Sequence, residues 1–251
     1  LIWALAFPTT MNNVIMFVVA LAMMLIANVL LAFAPLIGYF GQLILTGWFC
    51  SFRFQIIADA ANGEEELPSI VGAEGAWEDI ALPLLRWLGS WAVVLAPAAV
   101  FLLIYPPTTL LNGPPPTSIV ALFQLGGASF GGLTALLLLG LICWPMVALC
   151  VALGGFATFA RADLMFTTAL RTLPAYALTV LAVLLFDAIP FGALYLAVQP
   201  GAGGGMATRL NSELAARSLY TCCDVYGEIV SAKLIGLYYH HFKRRFAWSW
   251  G

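Results

Sequence analysis

Residues 14–34 read VIMFVVALAMMLIANVLLAFA, with no charged side chain and Asn28 as the most polar member. A helix of about 20 such residues crosses roughly 30 Å of hydrocarbon. Similar apolar runs recur at 36–58, 80–104, 131–154 and 174–198. Across all 251 residues the chain is 63% hydrophobic and 9% charged, with a mean hydropathy of +0.98. Soluble domains carry about 25% charged residues, so this chain cannot clothe itself in a water-facing surface. Membrane-spanning strands would alternate apolar and polar residues over segments of about ten. The runs here are continuous, which predicts an all-α, polytopic transmembrane helical bundle forming a single integral membrane domain.

Working outward from that run, residues 1–13 are aromatic and proline-bearing and read as an interfacial lead-in. The sequence begins at Leu1 rather than Met, and is read as part of a longer chain. Pro35 and Gly38 predict a tight turn into the second span, with Arg53 and Asp59 at its far end. Gly63 then ends the helix, since glycine accepts the left-handed cap conformation. An acidic hairpin follows over 60–79. The stretch 60–86 holds Glu64, Glu65, Glu66, Glu74, Glu78 and Asp79, half of the 12 acidic residues. The third span carries acidic residues at its start, which suits the helix dipole, and Pro97 within it. Arg86 is expected to reach back to the acidic hairpin. A charge-free loop covers 106–117, and a short re-entrant piece is expected over 118–130. Gly127 and Gly131 have the spacing that lets helices approach. Residues 155–172 read as an interfacial helix, and 199–208 as a flexible loop without the strand–turn–helix setting of a nucleotide site.

The last helix is amphipathic in an unusual way. At 100° per residue, Glu213, Arg217, Thr221, Asp224, Glu228 and Ser231 fall within about 80° of arc. The span 213–241 is long enough to cross at about 1.5 Å per residue, giving about six spans in all plus one or two interfacial helices. Basic residues favour the cytoplasmic face. With six spans, Arg53, Arg86, Arg161, Arg171, Lys243, Arg244 and Arg245 share one side, which places both chain ends and the acidic hairpin in the cytoplasm. A flat final helix, its stripe turned to water, is the alternative.

Asp187 is the sharpest candidate site. A carboxylate near mid-membrane is costly, turns inward and marks a functional position. It reads as a proton or cation site, as a partner of Arg217, or as a packing aspartate near Pro190. Together Asp187, Arg217, Asp224 and Glu228 form the candidate intramembrane polar site. Glu64, Glu65 and Glu66 offer oxygen ligands, but three consecutive glutamates do not point one way, so a solvated docking or capping turn is the favoured reading. Lys243, Arg244 and Arg245, beside His240 and His241, suit anionic lipid headgroups. Among the five cysteines there is no CxxC pair, and only two histidines are present. No metal or cofactor is expected. No nucleophile–base arrangement or phosphate loop is present, and a non-enzymatic role follows.

Gly63-Glu64-Glu65-Glu66-Leu67-Pro68, with Gly38-Tyr39 before it and Trp77-Glu78-Asp79-Ile80 after it, resembles a family of prokaryotic integral membrane proteins, domain of unknown function 4013. The tail 234–250, LIGLYYHHFKRRFAWSW, is similar to those of planctomycete-type members. The resemblance implies a polytopic helical fold in a bacterial inner membrane and carries over no catalytic residue. Two functions are expected. The first is a scaffold or accessory subunit of a larger membrane assembly, with other membrane subunits and the lipid bilayer as partners and no nucleic acid. The second is a small-solute or ion permease using Asp187 and the stripe 213–231. No internal repeat supports the second, though the prolines suit it.

Overall fold

The computed structural model describes residues 2–69, 75–104, 119–197 and 206–246. Every regular element among them is helical, as the continuous apolar runs require. A short α1 (Ile2–Ala6) and a 3-10 turn (Phe7–Thr9) lead into α2 (Val14–Phe33). Only Ala34 separates α2 from α3 (Pro35–Asn62); it sits at φ −136°, ψ 75°. Proline drives the residue before it out of the helical region, while tolerating the first helical position itself. Gly38 is therefore not part of a turn, as the sequence suggested. It lies inside α3 against α2, where a Cβ would meet the Leu31 Cα at 2.3 Å.

At its other end α3 stops at Gly63, in the left-handed region at φ +93°. The acidic turn follows. A single π-helical turn (Trp77–Ala81) then opens α4 (Leu82–Ile104). The backbone of 119–130 is not a separate re-entrant piece: α5 runs unbroken from Ile119 to Gly154. The expected Gly127–Gly131 contact is absent at Gly131, which has no atom within reach of a Cβ; Gly127 lies outside the described side chains. Gly140 makes the close approach instead, with its Cβ position 2.6 Å from the Val94 carbonyl oxygen. Gly155, at φ +67°, ends α5. A 3-10 segment (Gly155–Arg161) and α6 (Ala162–Arg171) replace the single interfacial helix expected there. The last two helices are α7 (Leu173–Ala197), unbroken through Pro190, and α8 (Met206–Phe242), followed by a 3-10 turn at Lys243–Arg245.

Among the described residues, four helical segments are long and apolar enough to cross a membrane: Val14–Leu31, Trp77–Ile104, Gly131–Phe159 and Leu173–Gly192. Helices α3 and α8 are not among them; α8 lies at the centre, and the second half of α3 packs against it. Helix α8 packs chiefly against α7, α3 and α2, and residues such as Val225, Ile229, Val230, Ile235 and Tyr238 are buried around its circumference. Parallel α3 and α8 meet in a register fixed by three contacts: Arg53 with Glu228, Ile57 with Gly236, and Ala61 with His240. Outward-facing positions of α2, α4 and α7 are apolar, including Ile15, Ile26, Leu103 and Leu181. Apolar side chains turned outward and charged groups turned inward is the arrangement a hydrocarbon solvent imposes.

Candidate functional site

The centre of the site is Arg53, in the interior stretch of α3, about 14 Å from the helix end at roughly 1.5 Å per residue. The sequence reading placed it beside the acidic turn; that depth rules the position out. Its Nη2 pairs instead with the Glu228 carboxylate of α8. Its guanidinium also lies over the Trp144 ring of α5, 5.5 Å from the centroid. Both partners lie well inside the protein, with side-chain exposures of 8% and 21%. Asp187 of α7 and Asp224 of α8 stand within electrostatic reach of the same guanidinium. The Ser231 hydroxyl donates to Asp187 Oδ1 at 3.4 Å. Asp224 and Glu228 of the α8 stripe and Asp187 of α7 thus lie near one guanidinium, that of Arg53.

Arg217 is placed differently. It is exposed, two turns before Asp224 on α8, and the Arg53 guanidinium lies within electrostatic reach of Asp187. Arg217 and Asp224 instead share the wall of a cavity of about 320 Å³ between α2, α3 and α8. Asn28, Gln42, Tyr220 and Thr221 also line it. The Thr221 hydroxyl accepts from Asn28 Nδ2 at 2.6 Å and donates to the Arg217 carbonyl at 2.9 Å. Gln42 Oε1 is buried without a hydrogen-bond partner. Asp224 is the innermost of the cavity residues on α8, and Glu228 follows one turn further in. The Arg53–Glu228 pair therefore lies directly beyond the cavity's inner end. Glu213 lies outside the described side chains.

The acidic turn forms a second polar locus, at the opposite end of α8. Asn13 is buried, donating to the Phe7 carbonyl at 2.9 Å and accepting from the Leu67 amide at 2.7 Å. Asn12 donates to Glu66 Oε1 at 3.1 Å. Lys233, buried in α8, donates to the Glu64 carbonyl and lies 4.2 Å from the Phe7 ring centroid. The backbone of the turn, more than its carboxylates, is what docks; Glu64, Glu65 and Glu66 are exposed. His240 packs beneath Gly63, where a Cβ would meet its ring at 2.7 Å. Among the described residues Arg86 makes no ion pair with the turn. It lies against Gly155 at the end of α5, and its Nε is buried without a hydrogen-bond partner. Lys243, Arg244 and Arg245 are exposed at this same end, with Arg245 over the Phe242 ring. Glu74, Trp248 and Trp250 lie outside the described residues, as do most of the two charge-free loops.

Sequence reasoning missed Arg53, Gln42 and Lys233 as site residues. A signal existed for Arg53, a lone basic residue within a long hydrophobic helix, too far from the end to snorkel freely; Lys233 shares a polar helix with Arg209 and Arg217 and carried none. Gln42 carried no such signal.

The described residues define a helical membrane protein with four helices apolar enough to span a membrane and a buried carboxylate–guanidinium cluster beside a polar cavity. Comparison with protein-family models, with curated proteins and with solved structures finds no match to it.

Proposed function

We propose that this chain is a proton- or cation-coupled permease for small polar solutes in a bacterial inner membrane. One observation carries the reading: Glu228 pairs with Arg53, and Asp187 and Asp224 lie within electrostatic reach of the same guanidinium, at the inner end of a polar cavity. Ionised carboxylates in this number exceed what one guanidinium balances, and an unbalanced charge is expensive at membrane depth. An exchangeable cation, of which the proton is the smallest, balances the excess. The cavity supplies the solute site and the cluster the coupling site. In this reading α3 and α8 cross as well, which gives six spans, with their charges turned inward. The scaffold reading has no observation of its own in the site, and the likeness to the family named above rests on the turn and tail motifs.

The test is flux in liposomes loaded with a pH-sensitive dye. Wild-type protein should pass protons down an imposed gradient. Asp187→Asn should abolish most of that flux while eluting as the same monodisperse peak. Undiminished flux in Asp187→Asn, or none in wild type, would overturn the proposal.

A further inference from the structure

Arg86 is a charge that the fold leaves unanswered. Among the described residues its guanidinium makes no hydrogen bond and no ion pair. Its Nε is sealed off by protein, but the terminal nitrogens, which carry the other donors, are not among the buried atoms. The residue lies about 13 Å along the helix from Trp77, at roughly 1.5 Å per residue. Helical side chains slope back toward the N-terminus, which brings the guanidinium closer to the charged end of the segment, at Glu78 and Asp79. There it rests against Gly155, where α5 ends; a Cβ at Gly155 would stand 3.5 Å from Nη2. The carbonyl end of a helix carries about half a negative charge. That charge attracts the guanidinium but does not neutralise it, and it leaves the donors unused. One position on, Trp87 Nε1 is a further buried donor without an acceptor.

The surroundings are hydrocarbon. Gly89, about one turn further along α4, packs against Phe159 and Phe156. Val93 and Val100 follow Arg86 at intervals of seven, which keeps them on its face of α4, and both are exposed. A cation with open donors thus stands at the head of an apolar, lipid-facing track. Such a charge is costly when left alone at membrane depth, and the lipid itself can deliver the matching anion.

We infer that Arg86 binds the phosphate of an anionic phospholipid, at the junction of α4 with the end of α5, with an acyl chain running down Val93 and Val100. The planar fork of a guanidinium matches two phosphate oxygens. Basic pockets between membrane helices hold anionic headgroups in the same way. The local polar groups are donors, with no carboxylate within ion-pair distance of Arg86, so a headgroup that brings its own cation is the poorer fit. The site is separate from the exposed Lys243, Arg244 and Arg245, and it does not depend on the permease reading.

Binding is measured on the purified chain in a neutral detergent, with Lys243→Gln, Arg244→Gln and Arg245→Gln removing the exposed tail charges. The probes are phosphatidylglycerol and phosphatidylcholine of equal chain length, and inorganic phosphate. Native mass spectrometry counts the retained lipid, and the shift of unfolding temperature follows its titration. Phosphatidylglycerol should bind saturably and about tenfold or more tightly than phosphatidylcholine, a margin of about 1.4 kcal/mol. Arg86→Gln, eluting as the same monodisperse peak, should bring it down to the level of phosphatidylcholine. Arg86→Lys keeps the charge without the fork and should weaken it several-fold. Equal affinity for the two lipids with Arg86 intact overturns the inference without any variant at the site, and so does an undiminished preference in Arg86→Gln. Inorganic phosphate that displaces phosphatidylglycerol at equal concentration would make the ligand a free anion and overturn the assignment to lipid.

Discussion

Asp59 shows how one side chain at the end of α3 senses its neighbours. Partial burial pushes its carboxyl up from 3.8 to about 6; the nearby Glu64 carboxylate adds to the rise, and Lys233 opposes it. The folded chain therefore holds this proton more tightly than the unfolded chain does. As pH rises from about 4 to about 6, the unfolded form releases its proton first, and Asp59 makes the folded state progressively less stable; above that window the effect is constant. Asp59→Asn should raise the unfolding temperature relative to wild type by an amount that grows between those pH values and then levels off. Melting curves across that pH range check it; an equal difference at pH 4 and pH 7 would refute the assignment. The same lesson holds for Arg53. Its identity was plain in the sequence, but its role depended on depth, and depth is set by where α3 ends, not by the residue type.

Helix pairing is the next scale. The contact of α3 with α8 depends on Gly236, whose Cβ position lies 2.5 Å from the Ile57 carbonyl oxygen and from the Ala60 side chain. The α7–α8 contact uses Gly227 against the Phe186 carbonyl in the same way, at 3.0 Å. Without a hydrophobic force between helices in lipid, close packing of this kind supplies much of the association. A side chain at Gly236 cannot be absorbed by rotation, because backbone faces it. Gly236→Val should cost about 1–3 kcal/mol or more, seen as a lower unfolding temperature and as loss of the Lys233 contact with the acidic turn. Exposed Gly192, with nothing near its Cβ position, provides the control: Gly192→Ala should change little. Neither contact was foreseen, since the glycine spacing that drew notice, at 127 and 131, lay on a different helix. Spacing along one helix shows that an approach is permitted; it does not show which partner takes it up.

At the scale of the whole molecule, several basic residues and the acidic turn gather at one end of the bundle, while Arg217 lies toward the other. Arg86 lies by Gly155, His240 by Gly63, and Lys243, Arg244 and Arg245 follow directly on α8. On the six-span proposal, the positive-inside rule predicts that this end is cytoplasmic. With Cys222 and Cys223 replaced by serine, a Lys243→Cys chain should resist a membrane-impermeant thiol reagent in intact cells and react after permeabilisation. Labelling in intact cells would reverse the orientation, or show that α8 does not cross.

The sequence by itself determined the class of fold. Continuous apolar runs admit only backbone that satisfies its own hydrogen bonds, so helices were unavoidable. It also determined the α8 stripe and the glycine that ends α3, because the helical period and the left-handed cap are local properties. Only the tertiary structure decided that Arg53 is the cation among Asp187, Asp224 and Glu228, and that Arg217 stands apart at the cavity. It alone placed Lys233 and the backbone of the acidic turn together. Those pairings join residues distant along the chain, and they depend on helix register and on which glycine admits which neighbour. Hydropathy carries neither, since it records how much each residue avoids water and not which other residue it meets.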